Sequence, residues 1–327
     1  MNAPKVTPTD YIDFLIGTQR AYSCTEAERV NPDEETDPAH DAYTRMLHRL
    51  FPSSARLWSE AQAQVEMGKG CLIIDDSTLD KLYSRQIALV TRHWSGKHRA
   101  VVQGINLITV LWTDGERYIP VDYRIYDKAN DGLSKNDHFQ GMLHQLQQRG
   151  FTPECVIFDS WYAALPNLKL IRDLGWRWLT RLKANRLVNP DGHGNRGLDQ
   201  VDLSEHGTQV HLKGYGFIRV FKIVAPDGDI AYWATNDLEL SDLQRLRFAE
   251  FAWMIETYHR GIKQFCGIER CQARSATAQR NHIELALRAF LRLEYHCFVM
   301  GISWFEAKTA IIRHAVSAYL AHPIYVF

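Results

Sequence analysis

Short hydrophobic runs in the first half of the chain predict strands that alternate with helices. Cys71 to Ile74 and Cys155 to Phe158 are uninterrupted apolar runs of strand length, as expected for strands buried on both faces. Ala100 to Trp112 and Tyr118 to Tyr126 also have strand character. The turn residues Thr113-Asp114-Gly115-Glu116 join them, which predicts an antiparallel hairpin.

Helices are predicted between the later strands. Apolar residues recur at helical spacing from about Asp137 to Gln148, and a second helix is predicted from Leu165 to Leu174. A strand from Trp176 to Leu182 follows. Three strands followed by helix, strand, helix and strand is the element order of an α/β, ribonuclease H-like fold. We expect its defining feature, adjacent first and fourth strands, which here are the two runs that end in Asp75 and Asp159.

The rest of the chain predicts additions to this core. A turn-rich segment with β-strand patterns predicts a β-rich insertion, and a single long helix is predicted from Ser241 to Phe265. We therefore expect a helical N-terminal region at 1–69, the first part of the core at 70–184, the insertion at 185–237, and the helical end of the core with C-terminal helices at 238–327.

The N-terminal region is predicted to hold three short helices. A polar stretch with two prolines, from Ala27 to Ala39, predicts a loop after the first helix, and the third helix is predicted from Ser54 to Met67. Three short helices are compatible with a small DNA-binding unit and equally with a lid on the main core. The pattern does not choose between them.

Composition narrows the class of protein only slightly. The 327 residues include 38 Lys plus Arg and 38 Asp plus Glu, so net charge gives no support for a polyanionic partner. The six cysteines form no Cys-x-x-Cys pair, which favours buried thiols and a reducing cytoplasm. No apolar run approaches the roughly 20 residues of a membrane helix, so we expect no membrane partner and a cytoplasmic location.

Three acidic residues are the candidate catalytic and metal-binding groups: Asp75 and Asp159 after apolar strands, and Glu256 in a later helical stretch. Two Asp and one Glu suit Mg²⁺, which prefers hard oxygen ligands, and paired metal ions support displacement at phosphorus. Two of the acids also have an ordinary explanation, since Asp159 could cap a turn and Glu256 could be solvated. Asp75 is harder to explain in this way, because two adjacent acids after a buried run repel one another unless a cation compensates. Asp76 is the reserve candidate, because alternation sends only one of two adjacent acids toward a site.

Two sequence blocks around the Asp residues resemble those of DDE transposases of bacterial insertion sequences. Leu72 to Ser77 resembles the first block, an apolar strand followed by Asp, any residue, then Ser or Thr. Val156 to Tyr162 resembles the second, and Trp178 to Lys183 resembles the basic strand that often follows it. The resemblance extends from about Gly70 to Arg280.

The third block, Trp253 to Tyr258, carries Glu256, and Lys263 follows seven positions later. Many members of this family have Tyr and Arg seven and four residues before the Glu. This chain has Ala249 and Ala252 there, which puts the end-binding role of that pair in doubt. The wide spacing between Asp159 and Glu256 resembles that of members with a β-rich insertion.

The resemblance implies a transposase that uses Mg²⁺ or Mn²⁺. Such an enzyme cleaves phosphodiester bonds at the ends of its own mobile element by two-metal-ion catalysis and transfers the 3′-hydroxyl ends to target DNA. The implied partners are double-stranded DNA, namely the terminal inverted repeats and the target, and a second copy of the chain in a homodimer on DNA.

Candidate DNA-binding residues come from local charge. No acid occurs from Lys81 to Thr113, a stretch rich in Lys, Arg and His that suits phosphate contact and could also be a solvated loop. Further basic residues alternate along the last predicted core strand or follow Glu256, where an ion pair between Glu256 and Arg260 is the competing explanation. The candidates are Arg85, Arg92, Lys97, Arg181, Lys183, Arg260 and Lys263.

Two other functions remain open. A catalytically silent, transposase-derived DNA-binding protein would keep the fold and lose the chemistry, although the presence of all three acids argues against it. A glycoside hydrolase with paired carboxylates would leave the basic stretches unexplained. Trp233 could stack on an extruded base or could pack in the core, and we make no assignment for it.

Overall fold

A computed structural model describes residues 4–32, 38–95 and 99–324. The candidate DNA-binding residue Lys97 lies outside the described residues. The chain forms two compact units. One contains the described residues of Met1–Ala63, Thr78–Asn106 and Thr257–Phe327, and the other contains Gln64–Ser77 and Leu107–Glu256. The three candidate catalytic acids all belong to the second unit.

Helices and strands alternate in the middle of the chain, and both ends of the chain are mostly helical. The helices are α1 (Pro8–Gly17), α2 (Cys24–Arg29), α3 (His40–Arg49), α4 (Ser54–Ala61), α5 (Lys128–Asp131), α6 (Lys135–Gln148), α7 (Leu165–Asp173), α8 (Asp242–Phe251), α9 (Met254–Phe265), α10 (Ala276–Met300) and α11 (Trp304–Ala321). The strands are β1 (Cys71–Asp80), β2 (Thr91–Ser95), β3 (Ala100–Thr113), β4 (Ile119–Ile125), β5 (Cys155–Phe158), β6 (Trp178–Leu182), β7 (Leu187–Asn189), β8 (Arg196–Gly197), β9 (Thr208–Leu212), β10 (Gly216–Val224) and β11 (Ile230–Thr235).

The first unit is mainly helical, and α10 is its central helix. Helices α1, α3, α4 and α11 pack against α10, most of whose residues are buried. Buried polar contacts fix this packing: the hydroxyl of Tyr11 lies 3.0 Å from Nδ1 of His282, and Arg56 Nε donates to the buried Glu284 at 2.6 Å. Among the described residues, no helix is both long and apolar enough to cross a membrane.

The second unit is built on a sheet with the strand order β3–β1–β5–β6–β11–β10–β9–β7–β8, and β4 pairs antiparallel with β3. Strands β4, β3, β1, β5 and β6, with α6 and α7 between the later ones in the chain, have the ribonuclease H-like arrangement. Strand β1 lies between β3 and β5, and β1, β5 and β6 are parallel. The predicted fold class is therefore confirmed, including the adjacency of the two strands that precede Asp75 and Asp159.

The predicted β-rich segment continues the same sheet. Strands β7 to β11 follow β6 in the chain, and β11 returns to pair antiparallel with β6 over Tyr232↔Leu182 to Thr235↔Leu179. Strand β10 pairs antiparallel with both β11 and β9. The segment therefore extends the core sheet edgewise. The four domain boundaries expected from the sequence stay predictions.

Several predicted element bounds were wrong. Strand β1 continues to Asp80, so Asp75 and Asp76 lie inside a strand and do not end it. In the N-terminal region, α2 is a helix that the polar pattern concealed, and its Ser23 cap accepts from the N–H of Glu26. Helix α4 ends at Ala61 and is followed by a 3₁₀ turn, not by continuous helix to Met67.

The single long helix predicted from Ser241 to Phe265 is two helices. Helix α8 ends at Phe251 and α9 begins at Met254, with a turn at Ala252 and Trp253. Tertiary contact accounts for the new start, because Thr113 Oγ1 at the end of β3 donates to the Met254 sulfur at 3.3 Å. Sequence periodicity runs through the break, since both helices carry apolar residues at helical spacing.

Gly70 allows the start of β1 to approach the end of β3. Its φ is +71°, a left-handed conformation that favours glycine, and a Cβ there would lie 2.4 Å from the Thr113 carbonyl oxygen. Gly141, on the exposed face of α6, has no atom within 4 Å of the position that a Cβ would take.

We expect Gly70→Ala to lower the free energy of unfolding by at least about 2 kcal/mol, because it adds backbone strain and a collision with a carbonyl group. Gly141→Ala is the matched control. It should raise the free energy of unfolding by about 0.5–1 kcal/mol, because alanine is the better residue inside a helix. Urea unfolding followed by circular dichroism measures both, and equal effects of the two changes would contradict this account.

Candidate active site

The register of three parallel strands aligns the two candidate aspartates. Strands β1 and β5 pair from Cys71↔Cys155 to Ile74↔Phe158, so one further step brings Asp75 level with Asp159. Strands β5 and β6 pair through Phe158↔Thr180, and one further step brings Asp159 level with Arg181. Because neighbouring parallel strands lie about 4.8 Å apart and aligned residues point to the same face, these side chains share one face of the sheet.

Strand β11 adds a fourth member to this alignment. Trp233 pairs with Arg181 in the antiparallel β11–β6 ladder. The Arg181 guanidinium lies over the Trp233 ring, 4.8 Å from its centroid. We call Asp75, Asp159, Arg181 and Trp233 the site row. It places two acids, one cation and an aromatic ring side by side across four strands.

The adjacent acid Asp76 faces the other side of the sheet. There it accepts from Lys135 Nζ at 2.8 Å and from the Tyr162 hydroxyl at 2.9 Å. Lys135 begins α6, and Tyr162 stacks on Phe139 of the same helix with ring centroids 5.1 Å apart. Strand alternation thus separates the two acids, and Lys135 neutralises Asp76 on the α6 face.

Glu256 enters from the first turn of α9, on the same side as the site row. Helix α9 begins at Met254, which is held to the end of β3 by the contact with Thr113. Glu256 is two residues farther along and is exposed. The interruption between α8 and α9 therefore determines where the third acid lies.

These residues line one cavity of about 160 Å³ in the second unit. Its lining includes the whole site row, together with Glu256, Ala252 and Trp253. Arg181 is the basic residue of the lining. Many members of the family that this sequence resembles have Arg at the position of Ala252. Because Ala252 stands there, the lining residues between α8 and α9 include no cation.

The surroundings of Asp75 raise the cost of ionising its carboxyl group. Burial raises the pKa of Asp75 well above its usual value, and the negative charges of Asp76, Asp159 and Glu256 raise it further. The backbone N–H of Asp76 opposes this by donating to the carboxylate. The cavity thus holds a carboxylate that is poorly compensated by the protein itself.

The three acids share the cavity without being grouped as metal ligands. Among the described residues, no three His, Cys, Asp or Glu side chains are close enough together to hold a metal ion. The Asp159 carboxylate is turned toward the backbone and accepts from the N–H of Ser160, capping the 3₁₀ turn Ser160–Tyr162. The capping role considered from the sequence is therefore present, in addition to a position on the cavity wall.

The candidate DNA-binding residues have different settings. Arg181 and Lys183 are exposed at the end of β6, and Arg181 belongs to the site row. In the first unit, Arg85, Arg92 and Arg260 are exposed. Lys183, expected to alternate with Arg181 along this strand, lies just outside it, because β6 runs from Trp178 to Leu182.

Two lysines expected to be free for phosphate contact are used inside the first unit. Lys263 Nζ donates to the Thr78 carbonyl at 2.7 Å and lies 3.8 Å from Glu269. Lys81, which belongs to the acid-free stretch, is buried and donates to the carbonyl oxygens of Glu269 and Cys271. Lys81 therefore does not face solvent, unlike the exposed Arg85 and Arg92 of the same stretch.

Sequence reasoning missed three residues near the acids. Lys135 and Tyr162 hold Asp76, and nothing in their local pattern signals a contact 59 or 86 residues away in the chain. Trp253 lines the cavity with 61% of its surface exposed. The one signal in the sequence was a tryptophan three residues before Glu256, and its exposure is visible only in the folded chain.

The sheet and the cavity together define a ribonuclease H-like core with one carboxylate inside β1 and another directly after β5. The sequence of residues 13–197 matches the family model for the DDE superfamily endonuclease, over more than half of the chain. The chain therefore belongs to that family, and the DDE resemblance expected from the sequence is confirmed. The match includes Asp75 and Asp159 and ends before Glu256. An origin in a bacterial insertion sequence stays a prediction.

Three solved transposase structures are similar to this chain at low sequence identity. No curated protein matches the sequence. The cryo-EM structure of the piggyBac transposase synaptic complex with hairpin DNA is similar over 99% of this chain and 76% of that chain, with a TM-score of 0.49 and 10% identity. The Drosophila P element transposase strand transfer complex is similar over 95% and 64%, at a TM-score of 0.28 and 12% identity. The crystal structure of the Mos1 strand transfer complex gives 95% and 79%, a TM-score of 0.23 and 10% identity. These scores are too low to support any argument about the site.

Opposite stability effects are expected from the two adjacent acids. Asp75→Asn should raise the free energy of unfolding at neutral pH without divalent cations, because it removes a carboxylate that folding makes harder to ionise. Asp76→Asn should lower it by about 1–3 kcal/mol, because Lys135 loses its ion-pair partner in a mostly buried setting.

The gain from Asp75→Asn should depend on pH. At acidic pH, Asp75 is protonated in both states and the gain vanishes. As the pH rises past the usual pKa of Asp, the unfolded chain ionises first and the wild-type protein loses stability relative to the variant. Urea unfolding across this pH range measures the difference, and a destabilised Asp75→Asn protein at neutral pH would refute the electrostatic account.

Proposed function

We propose that this protein is a DNA transposase that cleaves phosphodiester bonds at the ends of its mobile element and transfers the 3′-hydroxyl ends to target DNA. The observation that carries the proposal is the register that aligns Asp75 with Asp159 in a cavity also lined by Glu256. Membership of the DDE superfamily endonuclease family supports the same chemistry. In this proposal, Asp75, Asp159 and Glu256 are the catalytic residues.

The chemistry of the lining fits a hard divalent cation. Carboxylate oxygens are the ligands that Mg²⁺ and Mn²⁺ prefer, and the pKa of Asp75 is raised first by burial and then by the negative charges of neighbouring acids. Asp75, Asp159 and Glu256 would hold the metal. When bound, Mg²⁺ or Mn²⁺ would supply charge neutralisation for the attacking and leaving oxygens at phosphorus.

The chain's own residues would prepare the site for that chemistry. Asp159 must release the Ser160 N–H and turn into the cavity, and Glu256 has the exposure and length to reach inward. Arg181 lies beside Asp159 in the site row and would hold the substrate phosphate against the acids. Trp233 supports the guanidinium through their cation–π contact.

Double-stranded DNA is the proposed partner, as terminal inverted repeats and as target. Besides Arg181, the residues proposed to contact its phosphates are Arg85, Arg92, Lys97, Lys183, Arg260 and Lys263, and of these Lys263 would have to release the Thr78 carbonyl first. Joining two element ends calls for two copies of the chain on DNA, so a homodimer is proposed with it.

A catalytically silent DNA-binding protein of the same family is the second candidate. One observation favours it: the described acids are not grouped closely enough to hold a metal ion. This candidate predicts normal DNA binding without metal-dependent cleavage, so the same experiment separates the two.

We expect the protein to nick a duplex that carries the inverted repeat flanking its gene in the presence of Mg²⁺ or Mn²⁺, and EDTA should abolish the nicking. Asp159→Asn should reduce the rate at least about a thousandfold, because metal-assisted charge stabilisation is worth several kcal/mol and each 1.36 kcal/mol is tenfold in rate. Duplex binding by this variant should stay close to wild type. Denaturing gel electrophoresis measures the nicks, and gel shift measures the binding.

Asp173→Asn is the matched control, because Asp173 is exposed at the end of α7 and lies outside the cavity lining. It should cut at the wild-type rate. If Asp159→Asn cuts as fast as this control, the assignment of the site is wrong. If the wild-type protein binds the duplex and never cuts it, the silent DNA-binding protein is the better description.

A further inference from the structure

A second cavity lies next to the candidate active site. Its volume is about 220 Å³, and it lies between the 3₁₀ turn that follows Asp159 and the connection from β6 to β7. Ser160 and Trp161 line one side, and Lys183 and Arg186 line the other. Neither the site row nor any of the three acids contributes to it.

Arg186 has a fixed backbone and an incompletely used side chain. Its N–H donates to the Lys183 carbonyl at 2.9 Å, and its own carbonyl accepts from the Leu198 N–H at 3.2 Å. Its Nη2 is buried and has no hydrogen-bond partner among the described residues. A buried guanidinium nitrogen without an acceptor costs free energy, so its retention calls for an explanation.

The surroundings of Arg186 contain no compensating charge. Burial lowers the pKa of Arg186, and no carboxylate acts in the opposite direction. Within the described part of the chain, no ion pair joins Arg186 to an acid. Lys183 adds a second cation to the same cavity and is exposed. The cavity is therefore suited to an anion that comes from outside the protein.

The size and position of the cavity indicate which anion. About 220 Å³ is below the roughly 300–1,000 Å³ of pockets that enclose drug-sized molecules, so the space suits a single anionic group. It starts at Ser160, the residue directly after Asp159, and Arg guanidinium groups match phosphate geometry. The next phosphate along a strand bound at the acids would be a suitable group.

We propose that this cavity is a phosphate subsite in which Arg186 and Lys183 hold a backbone phosphate of the DNA strand bound at Asp159. The proposal rests on the function proposed above and adds Arg186, which neither the sequence pattern nor the family match assigns. The subsite fixes the position of the strand relative to the acids, and Trp161, 61% exposed, forms its outer wall.

The test compares Arg186→Gln with wild type in binding to two duplexes, one with the flanking inverted repeat and one of unrelated sequence, over a KCl series by fluorescence anisotropy. Arg186→Gln should bind both duplexes roughly tenfold more weakly, because it loses a hydrogen bond to a charged group. It should also lower the slope of log affinity against log salt concentration by about one. Arg196→Gln is the control, because Arg196 already pairs with Asp191, and it should behave as wild type.

Thermal melting separates this role from a structural one. Arg186→Gln should melt at the wild-type temperature or above it, because the variant no longer buries a guanidinium nitrogen that has no acceptor. A marked drop in melting temperature would mean that Arg186 holds the fold, and it would overturn the proposal. Lys183→Gln, at an exposed position, provides a second variant and should show the same loss of slope.

The outcomes distinguish this proposal from the one on which it rests. If the wild-type protein binds and cuts the duplex, and if Arg186→Gln and Lys183→Gln have its affinity and salt slope, the subsite proposal alone is overturned. A wild-type protein with no salt-dependent affinity for either duplex overturns both the subsite and the transposase function.

Discussion

The parallel register of β1, β5 and β6 is the constraint on which the site depends. Backbone hydrogen bonds fix the three strands against one another, and the side chains at aligned positions must then point to the same face. Asp75, Asp159 and Arg181 acquire their arrangement from this ladder and not from direct contacts among themselves. The apolar residues before each of them supply the burial that makes the register unique. The arrangement of charged side chains on this face of the sheet thus follows from the packing of the core.

The charged side chains near these three strands are compensated to different extents, which favours ligand binding more than stability. On the α6 face, Asp76 has both Lys135 and the Tyr162 hydroxyl as partners. On the cavity face, Asp75 is surrounded by further acids, and its ionisation is disfavoured. Next to the cavity, Arg186 has the opposite problem, since the buried Nη2 of its half-buried guanidinium group has no acceptor among the described residues. Unsatisfied charge of both signs within one region is typical of a surface that is completed by a ligand.

Sequence reasoning could predict what depends on local periodicity and could not predict what depends on tertiary contact. The two buried runs identified β1 and β5, and their order with the helices gave the fold class, because burial on both faces leaves a direct trace in the sequence. The break between α8 and α9 left none, since Thr113 and Met254 meet only after folding. Lys135 and Arg186 were not predicted as residues of the site for the same reason. The aspartates were predictable because each follows an apolar run, but which of Asp75 and Asp76 faces the cavity required the register itself.

The paired acids in β1 have a consequence for how this chain tolerates change. Deleting one residue just before the strand, so that it slides by one position along β5, would put Asp76 at the place of Asp75 in the cavity, whereas an insertion would put Ile74 there. After the deletion the cavity would still contain an aspartate at that point of β1, but Lys135 would face the other acid from a new distance. Such a deletion would therefore preserve the type of side chain offered to a cation while disturbing the helix-facing layer. The deletion would therefore lower the free energy of unfolding before it removed a carboxylate from the cavity.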